Sequence, residues 1–315
     1  MDLQALAARL RAEIGKVVFG QEDAVRLLLA GLFAGGHVLL EGMPGTAKTM
    51  LARALGAALD MRFARVQMTP DLLPGDITGS SLYREDTREF VFSPGAVFCN
   101  FLLVDEINRA SAKTQSALLE AMQELAVTAD GVSHPLPEPF MVFATQNPVE
   151  QEGTYPLPLA QLDRFMFKVA VGYPDGDSEE RLYRESGREN AGGAAALTAV
   201  EKVLTPGRVL EARAVVADTF ISAEVAAYVR RLLEFTRTQE IFASGASPRA
   251  GLMLLAGAKS LARFAGRDFV TPDDVKECFL PAVGHRITLN PVSELEGLTP
   301  EDAMRQTLES VEVPR

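Results

Sequence analysis

One stretch, residues 37–59, constrains the fold of this chain more than any other. Its letters are HVLLEGMPGTAKTMLARALGAAL: an apolar run at 38–40, a turn with glycine and proline, and an Ala- and Leu-rich segment. The apolar run predicts a buried parallel strand, and the last segment predicts a helix. This order is the layout of a P-loop, in which backbone N–H groups surround a phosphate. An ordinary turn entering a helix is the alternative, and the Lys48-Thr49 pair argues against it.

The residues of this turn predict how a nucleotide is held. We expect Lys48 to reach the β- and γ-phosphates and the Thr49 hydroxyl to reach Mg²⁺. Ala47 stands where the last glycine of the pattern is expected. Because alanine is the smallest side chain after glycine, we expect a right-handed backbone there and an intact phosphate cradle. The expected nucleotide contacts in this stretch are Gly42, Met43, Pro44, Gly45, Thr46, Ala47, Lys48, Thr49 and Met50.

Length and charge narrow the class of protein. At 315 residues the chain is long enough for two domains and a large core. Its 47% hydrophobic and 23% charged residues are ordinary for a soluble globular protein. Lys and Arg total 31 against 42 Asp and Glu, and the net charge of −11 does not suggest nucleic-acid binding. A local basic channel remains compatible with that bulk charge.

Cysteine use and hydropathy indicate a reducing compartment. Cys99 and Cys278 lie far apart without metal-type spacing, so we expect buried, reduced side chains. Residues 1–14 are amphipathic and carry acidic groups, unlike a signal peptide. The apolar stretch 24–40 is interrupted by charge and glycine, so it does not predict a membrane span. We therefore expect a cytoplasmic protein.

The first half of the chain predicts an α/β fold. Further strands are predicted at 62–67, 101–104, 140–145 and 165–171, with helices between them. Continuous apolar strands alternating with helices are typical of a parallel sheet covered on both faces. Residues 82–98 predict a small β element around Ser93-Pro94-Gly95, and Asp130-Gly131 predicts a hairpin turn.

The second half has a different pattern. Residues 186–199 are small and predict a flexible connection, and from Ser222 onward the pattern is helical only. Four helix starts are marked by good N-cap residues: Ser222, Ser247, Thr271 and Thr299. We therefore expect an α/β domain at 1–174, a linker at 175–217 and an all-helical domain at 218–315.

A second nucleotide signal follows the apolar run 101–104. Asp105 is expected to hold Mg²⁺, and Glu106 to accept a proton from the water that attacks the γ-phosphate. Alone, an acidic pair after a strand indicates only a solvated strand end. Downstream of a P-loop, the catalytic interpretation is the stronger one.

Three further polar residues are candidates for catalysis. Asn147 closes a predicted strand and is placed to orient the attacking water, although Asn before Pro also forms ordinary turns. Arg164 is a candidate arginine finger supplied to a neighbouring site, and a local ion pair with Asp163 is the alternative. Arg109 is a second candidate for that role.

Arg249 stands in the first turn of a predicted helix. A cation there opposes the helix dipole, so an external anion explains it better than helix stability does. The alternative is an ordinary exposed arginine.

Five motifs in this order resemble the MoxR family of AAA+ ATPases, within the helix-two-insert clade. They are Gly42-Met43-Pro44-Gly45-Thr46-Ala47-Lys48-Thr49, Asp105-Glu106-Ile107-Asn108-Arg109-Ala110, Ala144-Thr145-Gln146-Asn147-Pro148, Leu162-Asp163-Arg164-Phe165 and Ser247-Pro248-Arg249-Ala250. Residues 67–76, QMTPDLLPGD, are also similar to the family, and the resemblance covers nearly the whole chain. Ala47 fits it too, because MoxR proteins commonly carry alanine at that position.

The resemblance implies roles for these residues. Lys48 and Thr49 would bind phosphate and Mg²⁺, and Asp105 and Glu106 would form the Walker B pair. Asn147 would be sensor 1. Arg164 would be the finger, and Arg249 would be sensor 2, contacting the γ-phosphate of ATP from the lid. Residues around Val18 and Gly20 would line the adenine.

The resemblance also implies an architecture and a class of work. It implies a P-loop AAA+ core with a five-stranded parallel sheet, an insert at about 79–98, a hairpin near 126–137 and a helical lid. A ring, usually a hexamer, would complete the sites. Such proteins look like chaperones that remodel protein partners or insert metal cofactors into them. Those partners often carry von Willebrand factor A domains.

Two other functions stay open on the sequence alone. A DNA or RNA translocase is one, because related helix-two-insert ATPases include such machines. The predicted inserts hold only Arg84, Arg88 and His134 as possible phosphate contacts, which counts against it. A nucleotide-gated scaffold with little hydrolysis is the other, and the intact Glu106 and Asn147 count against that.

Overall fold

The computed structural model of the chain describes residues 1–149, 153–186 and 196–314. Its helices are α1 Leu3–Ile14, α2 Glu22–Ala34, α3 Lys48–Ala58, α4 Pro74–Thr78, α5 Ala112–Glu124, α6 Leu159–Leu162, α7 Gly176–Ser186, α8 Pro206–Ala217, α9 Ala223–Thr238, α10 Pro248–Phe264, α11 Pro272–Val283, α12 Pro291–Leu295 and α13 Pro300–Ser310. Its strands are β1 His37–Glu41, β2 Phe63–Gln67, β3 Gly79–Arg84, β4 Glu89–Pro94, β5 Phe101–Asp105, β6 Ala126–Ala129, β7 Val132–Pro135, β8 Met141–Gln146, β9 Phe165–Ala170, β10 Phe242–Ser244 and β11 Thr288–Leu289.

The centre of the first half is a parallel sheet of five strands in the order β2-β5-β8-β1-β9. Strands β1, β5 and β8 are almost wholly buried, because their continuous apolar runs are covered on both faces. Since all strands run the same way, their last residues meet at one end of the sheet, the carboxyl end, and their first residues at the other, the amino end. The predicted α/β fold with a five-stranded parallel sheet is confirmed.

Alternate side chains along the central strands enter two different cores. Leu40 of β1 packs in the core that contains Leu55 of α3, whereas its neighbour Leu39 packs in the core that contains Leu118 of α5. The sheet is therefore held from both faces. Because helices pack on both faces of the strands, the polar side chains at the strand ends are held in place.

Two antiparallel hairpins extend the α/β part. In the predicted hairpin β6–β7, Asp130 and Gly131 both have positive φ (50° and 78°), as a two-residue turn of this hand requires. The predicted β element forms the hairpin β3–β4, but its turn lies at residues 85–88 and not around Ser93-Pro94-Gly95. Gly95 instead packs against Gly79. A Cβ added at Gly95 would lie only 2.3 Å from the Gly79 nitrogen.

The second half is a helical lid whose helices begin at the predicted caps. Ser222, Ser247 and Thr299 each accept a hydrogen bond from the backbone N–H three residues later. At Thr271 the Asp274 carboxylate accepts from both the backbone N–H and the hydroxyl of Thr271, at 2.8 Å each. Local side-chain chemistry therefore sets these four starts.

The sequence pattern predicts an all-helical lid, but the lid also contains two short strands. Strands β10 and β11 pair antiparallel, with Phe242 opposite Leu289, and both of these side chains are buried. Strands of three and two residues are too short to show a period of two, so hydrophobic pattern alone misses them.

The predicted linker 175–217 contains helices α7 and α8. Helix α8 packs on the core through Val209, Ala212 and Val216, which are all buried. Most of the predicted flexible connection, 187–195, lies outside the described residues.

Candidate functional site

The glycine-bearing turn after β1 has the backbone of an anion cradle, with one difference from expectation. Gly45 has φ +84°, and Ala47 has φ +68° and ψ +16°, so both are left-handed. The expectation that Ala47 keeps a right-handed backbone is wrong. The turn into α3 must reverse direction at Ala47, and this requirement outweighs the cost of about 1–2 kcal/mol for a Cβ in that region.

The start of the same turn requires glycine for a different reason. A Cβ on Gly42 would lie 2.2 Å from the Val171 carbonyl oxygen. The Thr46 hydroxyl donates to the Met43 carbonyl at 2.9 Å and closes the loop. Lys48 Nζ donates to the carbonyl oxygens of Gly42 and Met43 at 2.6 and 2.7 Å. The lysine ammonium is thereby held over the turn.

Asp105 ends β5 and is 2% exposed. Its Oδ1 accepts from the Thr49 hydroxyl at 2.9 Å and from the Thr145 hydroxyl at 3.3 Å. Its Oδ2 pairs with Arg65 Nε at 2.7 Å. Arg65 is not among the predicted site residues; it is a polar residue of β2 that lies opposite Leu103, two positions before Asp105.

Glu106 follows immediately and has a left-handed backbone, φ 55° and ψ 55°. Its N–H donates to the Thr145 hydroxyl at 2.9 Å. Its carboxylate accepts from Gln67 Nε2 at 2.6 Å and lies 3.3 Å from Arg109 Nε. Strained backbone at a polar strand end is characteristic of functional sites. Gln67, also absent from the predicted site residues, ends β2 opposite Asp105 at the end of β5.

These groups surround one cavity of about 420 Å³ at the carboxyl end of the sheet. Its walls are Pro44, Gly45, Ala47, Lys48, Thr49, Met50, Arg65, Gln67, Asp105, Glu106, Thr145, Gln146 and Asn147. Three predicted positions, Gly42, Met43 and Thr46, shape the turn and are not part of the wall. Asn147 Oδ1 accepts from the Val149 N–H at 3.2 Å, which fixes the amide at the cavity.

Val18 and Gly20 lie beside the turn and do not form part of the cavity wall. Val18 is buried, and a Cβ on Gly20 (φ +67°) would lie 2.8 Å from the Pro174 side chain. The next residue, Gln21, donates to the Gly172 carbonyl at 2.9 Å. This segment is thus packed against the chain that leaves β9, next to the start of the P-loop.

The donor set of the cavity suits Mg²⁺. The Thr49 hydroxyl and the Asp105 carboxylate are hard oxygen ligands and lie 2.9 Å apart. Backbone N–H groups at the start of α3 and the Lys48 ammonium suit the phosphates that would share the ion. The residues present therefore fit a magnesium–nucleotide complex.

Arg164 and Arg249 are at the opposite end of the sheet. They line a second cavity of about 380 Å³, here called the amino-end cavity, together with His37 and Phe140 at the starts of β1 and β8. A five-residue strand spans roughly 13 Å, so the sheet separates these cations from the P-loop of the same chain. Arg249 therefore does not reach the P-loop cavity of its own chain, and its expected contact with a γ-phosphate stays a prediction. Helix α10 packs along α2 and α11, which leaves its first turn at the amino end.

Asp163 connects Arg249 to the lid and the sheet. Its Oδ1 pairs with Arg286 Nε at 2.6 Å and its Oδ2 lies 3.7 Å from Arg249 Nε. The Arg286 guanidinium is 2% exposed and also donates to the Phe165 carbonyl. Burial lowers the pKa of Arg286, and the Asp163 carboxylate opposes that shift. Asp163 therefore forms its shortest ion pair with Arg286, and not with Arg164 as the alternative to the arginine finger predicts.

Comparison with known proteins identifies the family. Residues 37–167 match the model described as ATPase family associated with various cellular activities (AAA), and residues 234–307 match an AAA lid domain. The chain is 41% identical over 312 residues to Chaperone MoxR1 of Mycobacterium tuberculosis, covering 96% of this chain and 81% of that one. It is 32% identical over 335 residues to Protein MoxR of Methylorubrum extorquens, covering 99% and 96%. The chain belongs to the MoxR family of AAA+ ATPases.

A solved structure extends the likeness to three dimensions. The MoxR-family chain matches a crystal structure of a candidate ATPase from Cytophaga hutchinsonii with a TM-score of 0.89 and 41% identity, covering 99% of this chain and 96% of that one. The chain is accordingly an enzyme that hydrolyses ATP. Among the described residues, none of the helices has both the length and the apolar character needed to cross a bilayer.

Proposed function

We propose that this MoxR-family ATPase works as a ring of identical copies, expected to be a hexamer, with the carboxyl end of one chain facing the amino end of the next. One observation carries the proposal: Arg164 and Arg249 line a cavity at the end of the sheet opposite their own P-loop. A nucleotide at the carboxyl end of one copy would then meet the two cations of its neighbour. A single chain cannot bring the two ends of its sheet together.

Each residue has a separate part in the reaction. Water attacks the γ-phosphorus, the bond from that phosphorus to the β,γ-bridging oxygen breaks, and Glu106 accepts the proton of the water. Asn147 orients the water, and Lys48 offsets charge on the phosphates. Thr49 and Asp105 would hold Mg²⁺, which would supply further charge neutralisation when bound. Val18 and Gly20 would flank the adenine.

The trans-acting cation is the remaining role. Arg164 is the better candidate for the finger, because it stands at the amino end. Arg109 is at the carboxyl end beside Glu106 of its own chain. Arg249, which lines the same cavity from the lid, would act on the same phosphate as Arg164.

The exposed side chains of hairpin β3–β4 favour a protein, rather than a nucleic acid, as the substrate that the ATPase remodels. Leu82, Tyr83 and Phe90 are 55%, 54% and 73% exposed, and the rings of Tyr83 and Phe90 pack on each other. Exposed apolar groups suit an apolar segment of a partner protein better than they suit a phosphate backbone. We propose that hydrolysis remodels or activates such a partner, or inserts a metal cofactor into it. Proteins with a von Willebrand factor A domain are the class that the family resemblance suggests.

Turnover measurements test the site. Purified wild-type chain is compared with Lys48→Ala and Glu106→Gln, with Mg²⁺ and saturating ATP. Loss of the general base should reduce turnover about 10²-fold or more, and Lys48→Ala should also weaken ATP binding. Equal turnover in all three chains would contradict these assignments.

Two further measurements test the ring and the partner class. Light scattering should give a mass of several chains in the presence of ATP, and a single-chain mass with and without ATP would contradict the ring. Salt-dependent binding of single-stranded DNA would favour the translocase over the protein-remodelling function.

A further inference from the structure

The amino-end cavity contains a third arginine, which no motif of the sequence singles out. Arg213, on helix α8, lines it with Arg164 and Arg249. These guanidinium groups come from three separate parts of the chain: the segment before β9, helix α8 and the start of α10. Convergence of three cations on one cavity is costly unless an anion joins them.

Arg213 is only partly satisfied by its own chain. Its Nε donates to the Leu32 carbonyl, in the last turn of α2, at 3.1 Å. Its Nη2 is buried and has no hydrogen-bond partner among the described residues. Burial lowers the pKa of Arg213, while the Glu138 carboxylate opposes that shift. A guanidinium nevertheless stays protonated at neutral pH, so its charge remains in the cavity wall.

The second arginine shows the same deficit. Arg164 Nη1 donates to the Ala160 carbonyl at 2.7 Å. Its Nε is buried and also lacks a partner among the described residues. Two guanidinium nitrogens at one cavity thus have unused donors. Buried donors without partners are rare in folded proteins, and each one needs an explanation.

The charges around the cavity do not balance. Arg164, Arg213 and Arg249 face it, and Glu138 is the one acidic residue among its described walls. Asp163 lies next to Arg249, but its nearer contact, at 2.6 Å, is with Arg286. His37 adds no charge at neutral pH, because burial and the Arg213 charge lower its pKa to about 4. The excess of cations suits an anion that accepts several hydrogen bonds.

We propose that Arg213 joins Arg164 and Arg249 in an anion site that takes a phosphate group. Phosphate offers several acceptor oxygens to arginine forks, which are the strongest donors for it. The group has two possible sources: a free polyphosphate, or the triphosphate of a nucleotide held at the carboxyl end of a second copy. The second source rests on the proposed ring, and the first does not.

A structural role is the competing explanation of Arg213. Its bond to Leu32 satisfies a carbonyl at the carboxyl end of α2, where a cation is also favourable for the helix dipole. In that case removing Arg213 would lower the melting temperature and leave anion binding unchanged.

The first experiment measures binding of inorganic tripolyphosphate by titration calorimetry. The Lys48→Ala chain is used so that the P-loop contributes little, and Arg213→Gln is added to it. Loss of a charge-assisted bond should weaken binding about tenfold or more. Arg213→Lys keeps the charge and should restore part of the affinity. Arg208→Gln, an exposed arginine on the same helix, is the matched control and should leave binding unchanged.

The second experiment identifies the source by mixing variants. Arg213→Gln chains supply an intact P-loop, and Lys48→Ala chains supply an intact Arg213. If the nucleotide of a second copy is the source, the mixture should hydrolyse ATP several times faster than the two variants measured separately. Binding of tripolyphosphate that depends on Arg213, without recovery in the mixture, would identify a free polyphosphate as the source.

The proposed anion site would be overturned if tripolyphosphate binding did not depend on Arg213 and the mixture of variants did not recover ATP hydrolysis. The calorimetric arm is independent of the proposed function, because it needs no turnover. A wild-type chain without ring-dependent hydrolysis would contradict the proposed function while leaving that arm interpretable. Melting temperatures of all variants show which chains are folded well enough to compare.

Discussion

The two ends of the same sheet differ in how their charges are arranged. At the carboxyl end every acidic group of the cavity has a partner in its own chain: Asp105 meets Thr49 and Arg65, and Glu106 meets Gln67 and Arg109. At the amino end, three arginines line a cavity with one carboxylate in its described wall. Among the described residues, the carboxylates of the first end are thus partnered, whereas the arginines of the second outnumber its carboxylates.

In the proposed ring, this difference would divide the reaction between neighbouring copies. A site with paired carboxylates can bind a metal and orient water, and the proposed ring would add a second cation to Lys48 for the charge that develops during phosphoryl transfer. That cation would be an arginine of the amino end, which lies about one strand length from its own P-loop. Substitutions at one end of the sheet at a time can therefore test whether the two ends have these separate roles.

The largest expected effect is at the amino end. Arg164→Ala should lower turnover about 10³-fold or more, as the loss of an arginine finger does. ATP binding should be nearly unchanged, because the P-loop cavity does not include Arg164. Arg109→Ala is the paired test at the carboxyl end, and its loss of turnover should be smaller. A larger loss for Arg109→Ala would reverse the assignment; steady-state hydrolysis and nucleotide titration measure both variants.

Acidification should also act on the amino end. His37 is buried, and its Nδ1 accepts from the Val142 N–H while Nε2 donates to the Met122 carbonyl. Its pKa is lowered to about 4, against 6.5 when unfolded, chiefly by burial. Between these values the unfolded state binds more protons, so stability falls as the pH falls.

From pH 7 to pH 5, His37 should reduce the free energy of unfolding by about 2 kcal/mol. Guanidinium titrations at the two pH values measure the change, and His37→Gln removes this contribution from the pH slope. His285, whose pKa is lowered well below 6.5 by burial, keeps its own contribution in that variant. An unchanged slope in His37→Gln would mean that His37 does not titrate as expected.

The smallest effect concerns the backbone at the carboxyl end. Ala47→Gly should stabilise the fold by about 0.5–1 kcal/mol, because glycine adopts φ +68° without the Cβ penalty. The opposite change at Gly45 should cost about 1 kcal/mol, since a Cβ there touches nothing and only the backbone conformation opposes it. Denaturant midpoints compare the two variants; a destabilised Ala47→Gly chain would argue against a strained Ala47.

The carboxyl end is predictable from sequence because its residues are local to recognisable patterns. Lys48 and Thr49 follow a strand and open a helix, and Asp105 and Glu106 end an apolar run, so their neighbours in the chain identify them. Arg65 and Gln67 escape notice, although they alternate along β2 beside β5. Their positions depend on strand order, which the sequence pattern does not contain.

The amino end is much less predictable. Arg249 is recognisable in its motif, but its place depends on how α10 packs against α2 and α11, a long-range arrangement. Arg213 lies in what the sequence predicts as a linker, and nothing in its neighbourhood points to an anion. The backbone of Ala47 is a smaller failure of the same kind, because alanine's intrinsic preference is overruled by the path of the turn.

Asp163 has a mechanical consequence for the whole molecule. The Asp163 carboxylate forms an ion pair with the buried Arg286, which lies between α11 and β11 of the lid. The same carboxylate also lies 3.7 Å from Arg249 in the first turn of α10. Arg164 is covalently next to Asp163. Any rotation of the lid that keeps the buried ion pair intact must drag the backbone of Arg164 along, so lid orientation and the reach of that cation change together.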